Sequence, residues 1–257
     1  MSSLILARRV VTPLLLGCSA ACAHLARPEQ VYLDRVRAPG ALPARLEAAM
    51  RDFARQGFTG TVLIARGNRV LLYQGYGHAN RARHIPNTAE TKYPVGALAQ
   101  QVRLYEPASL TRAVVDDGFL NDSLVARGYT GAYGETVIVT GLVAPLADLF
   151  HWHQSVRTAG MLPTIGAARL AGRGKNNPLG WIVERTAGGH NVVQQASDGR
   201  GFETWYAYFP DEDVLVLLAA NDDLGWRAPV AERLTAMLVD GAAQPVEDVT
   251  KATRAGG

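Results

Sequence analysis

Apolar positions in the first part of the chain follow a helical period and then a strand period. Residues 42–53 carry the helical spacing, and Gly57 stands where a left-handed residue would end a helix. Two apolar runs follow at residues 61–65 and 70–73, and both are typical of β-strands. Gly67 and Asn68 lie between them and favour the positive φ angles of a tight turn. The pattern predicts an amphipathic helix followed by a β-hairpin. The apolar helical positions are Leu42, Leu46, Ala49, Met50 and Phe53.

The second half of the chain opens with another helical stripe and continues with strands. Pro145 suits the first turn of a helix, and strand signals follow at residues 179–184, 191–196 and 202–209. Residues 214–220 form an unbroken apolar run, which predicts a central strand covered on both faces. The helical stripe consists of Leu146, Leu149, Phe150, His153 and Val156, and a last helix presents Val230, Leu234, Met237 and Leu238.

This order of elements predicts an α+β fold with one antiparallel sheet of five or six strands. The terminal helices are expected to pack together on one face of the sheet. We place a single domain at residues 42–240, after a linker at residues 24–41 and before a polar tail at residues 241–257.

The first 23 residues have the features of a secretory signal peptide. Arg8 and Arg9 precede an apolar run that closes on Ala21-Cys22-Ala23, a small-x-small cleavage site. The run has about 14 residues, whereas a membrane-spanning helix needs roughly 20. We therefore expect export to the periplasm or the medium, with no stable membrane span. A lipid anchor at Cys18 and a twin-arginine signal remain alternatives.

Composition indicates a globular protein and narrows the range of partners. Hydrophobic residues make up 48% of the chain and charged residues 19%, which allows a full core. Cleavage after Ala23 would remove two arginines and no acids, and would take the net charge from +3 to about +1. Nucleic-acid binding is therefore not expected. Both cysteines lie in the signal segment, so the mature chain would have neither disulfides nor thiol chemistry.

Several stretches of the chain share the pattern of one known family. They are Phe58-Thr59-Gly60-Thr61-Val62-Leu63-Ile64-Ala65-Arg66-Gly67, Tyr73-Gln74-Gly75-Tyr76-Gly77-His78, Ile85-Pro86-Asn87-Thr88, Ala126-Arg127-Gly128-Tyr129 and Gly201-Phe202. These stretches resemble the β-lactamase-related serine hydrolases, the family of class C β-lactamases, DD-peptidases and esterases. The resemblance covers roughly residues 45–225 and implies the family's sandwich of sheet and helices.

The family's catalytic motifs are replaced in this chain. In the family, Gly-Ser-x-Ser/Thr-Lys supplies a nucleophilic serine and the lysine that helps to remove its proton. The resemblance places Ala97 at the serine position and Gln100 at the lysine position. It also places Gln195-Ala196-Ser197 where the family has His-x-Gly or Lys-Thr-Gly. We therefore name Ala97, Gln100, Gln195 and Ser197 as vestigial motif positions with no catalytic residue among them.

Most of the family's helical subdomain, which carries a Tyr-x-Asn motif, is missing from the sequence. Directly after Gln100-Gln101-Val102-Arg103, the chain reads Leu104-Tyr105-Glu106-Pro107, which resembles the family's segment on the far side of that subdomain. This places a seam near residues 101–104. The missing layer is expected to uncover sheet and helix surface.

Other candidate chemistry has a structural explanation that we favour. Ser109 would lie in a surface connection, and Ser197-Asp198-Gly199 is typical of a turn. His151 and His153 would point about 200° apart on a helix and could not share one metal ion, so His153 is expected in the core and His151 at the solvent. Packing is expected for Trp181, Trp205, Tyr206 and Tyr208, and a solvated loop for Asp116, Asp117 and Asp122.

Three hypotheses for function follow. The first is an exported pseudoenzyme that binds a cell-wall peptide or an envelope protein and uses no cofactor or metal. The second is a weak hydrolase of the same family that uses an unrecognised nucleophile. The third is a decayed or mis-assembled gene product that folds poorly.

Overall fold

The computed structural model describes residues 38–96, 98–99, 110–116, 123–131, 136–137, 141–160, 181–199 and 201–239. The predicted signal peptide, most of the predicted linker, the seam and the tail lie outside these residues, as do Ala97, Gln100, Ser109, Asp117 and Asp122.

Three helices and thirteen strands make up this part of the chain. The helices are α1 Ala41–Gln56, α2 Leu146–Thr158 and α3 Arg227–Leu238. The strands are β1 Gly60–Arg66, β2 Arg69–Tyr76, β3 His78–Asn80, β4 Ile85–Pro86, β5 Tyr93–Pro94, β6 Val114–Asp116, β7 Gly128–Tyr129, β8 Thr136–Val137, β9 Gly141–Ala144, β10 Ile182–Arg185, β11 Asn191–Gly199, β12 Phe202–Phe209 and β13 Val214–Ala220.

The helix α1 ends where the sequence predicts. Gly57 takes a left-handed φ of 114°, and its N–H closes onto the last turn at Phe53 and Ala54. In the hairpin that follows, Gly67 has a φ of 57° but Asn68 does not have a positive φ. The prediction that both residues take positive φ is therefore wrong, because a turn with glycine at its first central position needs a positive φ only there.

The main sheet is antiparallel and has six strands in the order β10-β11-β12-β13-β1-β2. All seven residues of β13 are buried, which confirms the predicted central strand. The strand β11 continues to Gly199, with Ser197 opposite Thr204 of β12. The expectation of a turn at residues 197–199 is therefore wrong, because the ladder with β12 runs on to Gly199 and Phe202.

The sheet separates two hydrophobic clusters because side chains alternate between its faces. One cluster packs α1 and α3 together against the sheet, as predicted, with Phe53, Trp226 and Leu234 at its centre. The other contains α2 and the short strands, with Trp152 and Tyr206 fully buried. The four predicted packing aromatics are all buried, with Trp205 in the first cluster and Trp181, Tyr206 and Tyr208 in the second.

Short strands form three further small sheets that the sequence reading did not resolve. The strand β3 pairs with β4, β9 lies between β5 and β6, and β7 pairs with β8. These pieces have two to four residues each, which is too short for an alternating pattern to be recognised.

A row of small side chains crosses the α2 face of the sheet. It consists of Ser197, Thr204, Ala219, Thr61 and Gly75, each opposite the next on neighbouring strands. The backbone of Asn87 passes so close to Gly75 that a Cβ there would collide with it. At the other end of the row, a Cβ on Gly96 would lie 2.6 Å from Cβ of Ser197 and 3.1 Å from Oγ1 of Thr204. The row therefore lets two segments of main chain lie directly on the sheet. We call these five residues the small-residue row.

Asp148 of α2 anchors the chain where it returns from residues 101–109. Its carboxylate is fully buried and accepts N–H groups from Arg112 at 2.7 Å and Ala113 at 2.9 Å. The Arg112 guanidinium adds a contact to Asp148 at 3.3 Å and two to Glu90 at 2.6 and 2.7 Å. A buried carboxylate with this many donors ties residues 110–113 to α2.

His153 is a core histidine, as predicted. It is 1% exposed, and its Nδ1 lies 2.7 Å from the hydroxyl of Tyr206. Burial lowers the pKa of His153 to about 3, and the nearby Arg157 acts in the same direction. His151 is partly buried rather than fully at the solvent.

The contact of Gly96 with the small-residue row can be tested by adding a methyl group. Gly96 has a φ of 59° and meets Ser197, whereas Gly131 has a φ of 61° and has open space around it. Gly131→Ala is expected to cost about 1 kcal/mol for the left-handed backbone alone. Gly96→Ala is expected to cost about 2–4 kcal/mol, since overpacking adds to that strain. Chemical denaturation of both variants measures the difference.

The double variant Gly96→Ala/Ser197→Gly removes the atom that the new methyl group would meet. It should regain about 1 kcal/mol or more of the loss, because only the overpacking is relieved. Equal losses for the Gly96 and Gly131 variants, with no regain in the double variant, would contradict the contact.

Because the imidazole of His153 is buried in its neutral form, we expect the stability difference between the wild type and a His153 variant to depend on pH. Its pKa is lower in the folded chain than in the unfolded chain, so its contribution is fully present above about pH 6.5 and decreases as the pH falls below that value. The free energy of unfolding of wild type minus that of His153→Gln should therefore shrink by up to about 1.4 kcal/mol per pH unit below 6.5. Urea titrations at four pH values between 7.5 and 4.5 measure it. A constant difference would show that His153 is not buried in its neutral form.

Candidate functional site

The candidate site lies on the α2 face of the sheet, where the segment ending at Gly96 meets β11 and β12. Ala97 and Gln100 are outside the described residues, but their neighbours Gly96, Leu98 and Ala99 are within them. Val95 holds this segment through its N–H, which donates to the carbonyl of Leu142 at 2.9 Å.

The fold brings Gly96, which precedes the predicted position of the first motif, against Ser197 of the predicted third motif. The contact of Gly96 with Ser197 joins two positions that are 101 residues apart in the sequence. Thr204 lies beside both, because it is opposite Ser197 in the ladder. The sequence analysis did not name Thr204, although the alternation of β12 and its hairpin register with β11 would have placed it there. We define the candidate site as Gly96, Gln195, Ser197 and Thr204.

Gln195 forms the buried end of the candidate site. It lies on the same face of β11 as Ser197, is 9% exposed and sits opposite Tyr206. A side-chain amide takes up no proton near neutral pH, so Gln195 cannot replace a lysine or an imidazole in proton transfer.

The nearest described imidazole lies beneath this layer and is a poor base. His153 contacts the Tyr206 hydroxyl rather than the serine, and its lowered pKa leaves it with little affinity for a proton. Burial raises the pKa of the Tyr206 hydroxyl well above its ordinary value, so this phenol is not a base at neutral pH either. Trp181 covers the Tyr206 ring at a centroid distance of 5.0 Å. Neither group is placed to activate Ser197 or Thr204.

Other hydroxyl groups near the candidate site belong to a buried structural network. The Thr61 hydroxyl lies 2.8 Å from that of Tyr93, which donates to Asn87 at 2.7 Å. Asn87 in turn contacts Thr59 and Asn221. Burial raises the pKa of Tyr93 above its ordinary value. This network fixes the segment over Gly75 and presents no nucleophile to the surface.

A cavity lined by Val95, Leu98 and Thr204 has room for about one water molecule. Its volume is about 10 Å³, and its lining is mainly apolar and includes Leu98, Leu149 and Ala219. Sites for organic ligands are usually 300–1,000 Å³, so this cavity is a packing gap rather than a binding pocket.

The end of the sheet next to the candidate site is covered by β7. The backbone of Gly128 lies against the ring of Phe202, and the N–H of Tyr129 donates to the carbonyl of Gly201 at 3.2 Å. A Cβ on Gly128 would overlap the Phe202 ring, so the glycine is what allows this close approach.

The described ranges contain neither a metal-ligand cluster nor a membrane-spanning helix. No group of three or more His, Cys, Asp or Glu side chains there could hold a metal ion. In the same ranges, no helix is both long and apolar enough to cross a membrane.

Comparison with known proteins shows similarity at the level of the fold. No protein-family model and no curated protein matches the sequence. The structure is similar to that of FmtA from Staphylococcus aureus, with a TM-score of 0.61 and 11% identity over 84% of this chain and 94% of that chain. It is also similar to an octameric penicillin-binding protein homologue from Pyrococcus abyssi, with a TM-score of 0.60 and 12% identity over 77% of each chain.

A class C β-lactamase matches with a TM-score of 0.54 and 10% identity over 72% of this chain and 95% of that chain. Identities this low show the fold alone. The chain therefore has the α+β fold of penicillin-binding proteins and class C β-lactamases, which confirms the fold that the sequence resemblance implied.

Proposed function

We propose that this chain is an exported protein with a penicillin-binding-protein fold that has lost its catalysis and binds a cell-wall peptide or an envelope protein. The observation that carries the proposal is the contact of Gly96 with Ser197 and Thr204. It supports the assignment of Ala97 to the nucleophile position, because Gly96, the residue before Ala97, packs against β11, the strand that carries the residues of the third motif. Alanine there has no oxygen that could attack a carbonyl group.

The chemistry around this contact supports loss of catalysis. Acyl transfer needs a nucleophile within hydrogen-bond reach of a group that accepts its proton. Ser197 and Thr204 supply hydroxyls, but Gln195 is an amide and His153 is buried beneath Tyr206. A proton taken from either hydroxyl would have no described acceptor in this layer. The site would then hold a ligand without forming a covalent bond to it.

The packing argues against a decayed gene product. Two hydrophobic clusters cover both faces of the six-stranded sheet, and the buried carboxylate of Asp148 has its N–H donors. Consistency between local pattern and tertiary packing is typical of sequences that specify one structure. Export is part of the proposal and rests on the apolar segment with its small-x-small site before His24.

Binding of a cell-wall peptide can be tested with soluble stem peptides and a variant that fills the site. The peptides are expected to raise the melting temperature of the wild type, since a ligand that binds only the folded state stabilises it. Ser197→Tyr should abolish this shift, because a ring at this position cannot fit beneath the main chain at Gly96 and would displace that segment from the site. Thr158→Tyr, at an exposed position at the end of α2, is the matched control and should keep it. A shift of equal size in the Ser197 variant would place peptide binding elsewhere.

Restoring the two lost catalytic residues should not restore a full enzyme. Ala97→Ser with Gln100→Lys returns the nucleophile and its base, but the Tyr-x-Asn segment is missing from the sequence. We expect hydrolysis of an activated ester to stay at least about 100-fold below that of an intact enzyme of this fold, since one missing acid-base group usually costs that much. Turnover is measured by release of a chromogenic alcohol, with Ala97→Ser alone as the control. Turnover comparable to that of an intact enzyme would contradict the prediction.

A further inference from the structure

A buried carboxyl group lies at the end of β13, next to the candidate site but outside it. Asp222 is the second residue after the strand and has no solvent-exposed side-chain surface. One oxygen, Oδ2, accepts a contact from Nη2 of Arg81 at 3.1 Å. The other oxygen, Oδ1, has no hydrogen-bond partner. Because Oδ1 lacks a hydrogen bond of normal geometry, the burial of an ionised carboxylate in this position would be only partly compensated, which is costly.

Asp222 and Arg81 fasten three separate segments to one another. The Arg81 guanidinium lies 4.1 Å above the ring of Tyr129, and the Arg81 backbone N–H donates to the Tyr129 hydroxyl at 2.7 Å. The N–H of Tyr129 donates to the carbonyl of Asn221 at 3.0 Å, and Tyr129 forms a parallel bridge to Asp222. We call Arg81, Tyr129 and Asp222 the clamp. It joins the β3–β4 hairpin and residues 123–131 to the end of β13.

The groups around Asp222 do not favour its charged form. Burial raises the pKa of Asp222 from its ordinary 3.8 to about 7, and the Glu203 carboxylate on β12 adds to this effect. Arg81, the N–H of Leu224 and the Trp226 side chain act in the opposite direction but do not compensate. Glu203 is itself held in place by the N-terminus of α3, where it accepts N–H groups of Trp226 at 3.1 Å and Arg227 at 2.8 Å. The remaining polar groups close by are the Tyr129 hydroxyl and the exposed Asp223, which accepts the N–H of Gly131.

Linkage fixes the direction in which a proton acts on the clamp. A closed clamp holds the proton of Asp222 more tightly than an open one, in which the carboxyl is hydrated and titrates at its ordinary value. Loss of the proton therefore favours the open form. The neutral carboxyl can still accept from Arg81, whereas the carboxylate gains water only if the clamp separates.

We propose that deprotonation of Asp222 opens the clamp and releases the β3–β4 hairpin and residues 123–131 from the end of β13, while the six-stranded sheet stays folded. This inference does not depend on the proposed function, since it needs no ligand. The contact of Gly128 with the Phe202 ring, beside the candidate site, would then depend on pH.

Amide hydrogen exchange of the purified chain tests the proposal residue by residue. The probes are the N–H groups of Arg81, Arg127 and Tyr129, which donate across the clamp or beside it. Their opening constants, corrected for the intrinsic exchange rate, should rise about tenfold per pH unit between pH 5 and 7 and level off above 7. The N–H groups of Tyr206 and Leu217 in the sheet should not follow this curve, which separates local opening from global unfolding.

Two substitutions, each of which removes one carboxylate, serve as the test variant and its matched control. Asp222→Asn resembles the protonated side chain and should make the opening constants independent of pH over this range. Asp223→Asn removes the neighbouring exposed carboxylate and should keep the wild-type curve. A flat wild-type curve, or a tenfold slope that survives in Asp222→Asn, would overturn the proposal.

A direct titration covers the case in which Asp222→Asn does not fold. The carboxyl carbon of Asp222 in the wild type, followed by nuclear magnetic resonance, should titrate with a midpoint near pH 7. A midpoint below about pH 5 would overturn the proposal, because the carboxyl would then be ionised throughout the range in which opening is predicted.

Discussion

The small-residue row is the constraint on which the candidate site depends. Two segments of main chain lie directly on the α2 face of the sheet, one over Gly75 and one against Ser197. Main chain can approach a sheet this closely only where the side chains beneath it are small or absent. On the same face, the neighbouring row holds large buried residues, among them Tyr206, Leu217 and Tyr73. The change from small to large side chains between the two rows sets where the main chain at Gly96 can lie.

Burial keeps the titratable side chains beneath the candidate site in their neutral forms. His153 and Tyr206 are hydrogen-bonded to each other and covered by Trp181, so the imidazole and the phenol stabilise the core in their neutral forms. The buried charges that remain have structural partners. Asp148 holds residues 112–113, and Glu203 caps α3. These buried groups hold the fold together. In the proposed function, the groups that would attack a substrate are replaced by Ala97, Gln100 and Gln195.

Much of the fold could be predicted from the sequence, since its long elements carry strong periodic signals. The helix from Ala41 ends at Gly57 because glycine takes the left-handed conformation cheaply, and β13 reads as central because all its residues are apolar. The short strands β3 to β9 could not be predicted, because two to four residues show no period. The extension of β11 through Gly199 was also missed, since local turn preference was outweighed by pairing with β12.

The site was predictable in part. The resemblance placed Gln195 and Ser197 in one motif, and the structure puts both on the same face of β11. Thr204 was not named, although the register of the β11–β12 hairpin would have placed it opposite Ser197. The contact with Gly96 was not foreseen, because it joins segments that are distant in the sequence. The clamp at Asp222 carries no local signal, since Arg81, Tyr129 and Asp222 are separated by 48 and 93 positions in the sequence.

Intact-mass spectrometry of the purified chain after incubation with penicillin and with an activated ester tests the central claim most directly. The account predicts an unmodified mass under conditions that fully acylate an active penicillin-binding protein. A stable acyl adduct mapped to a serine, with Ser197 as the nearest hydroxyl to Gly96, would contradict it.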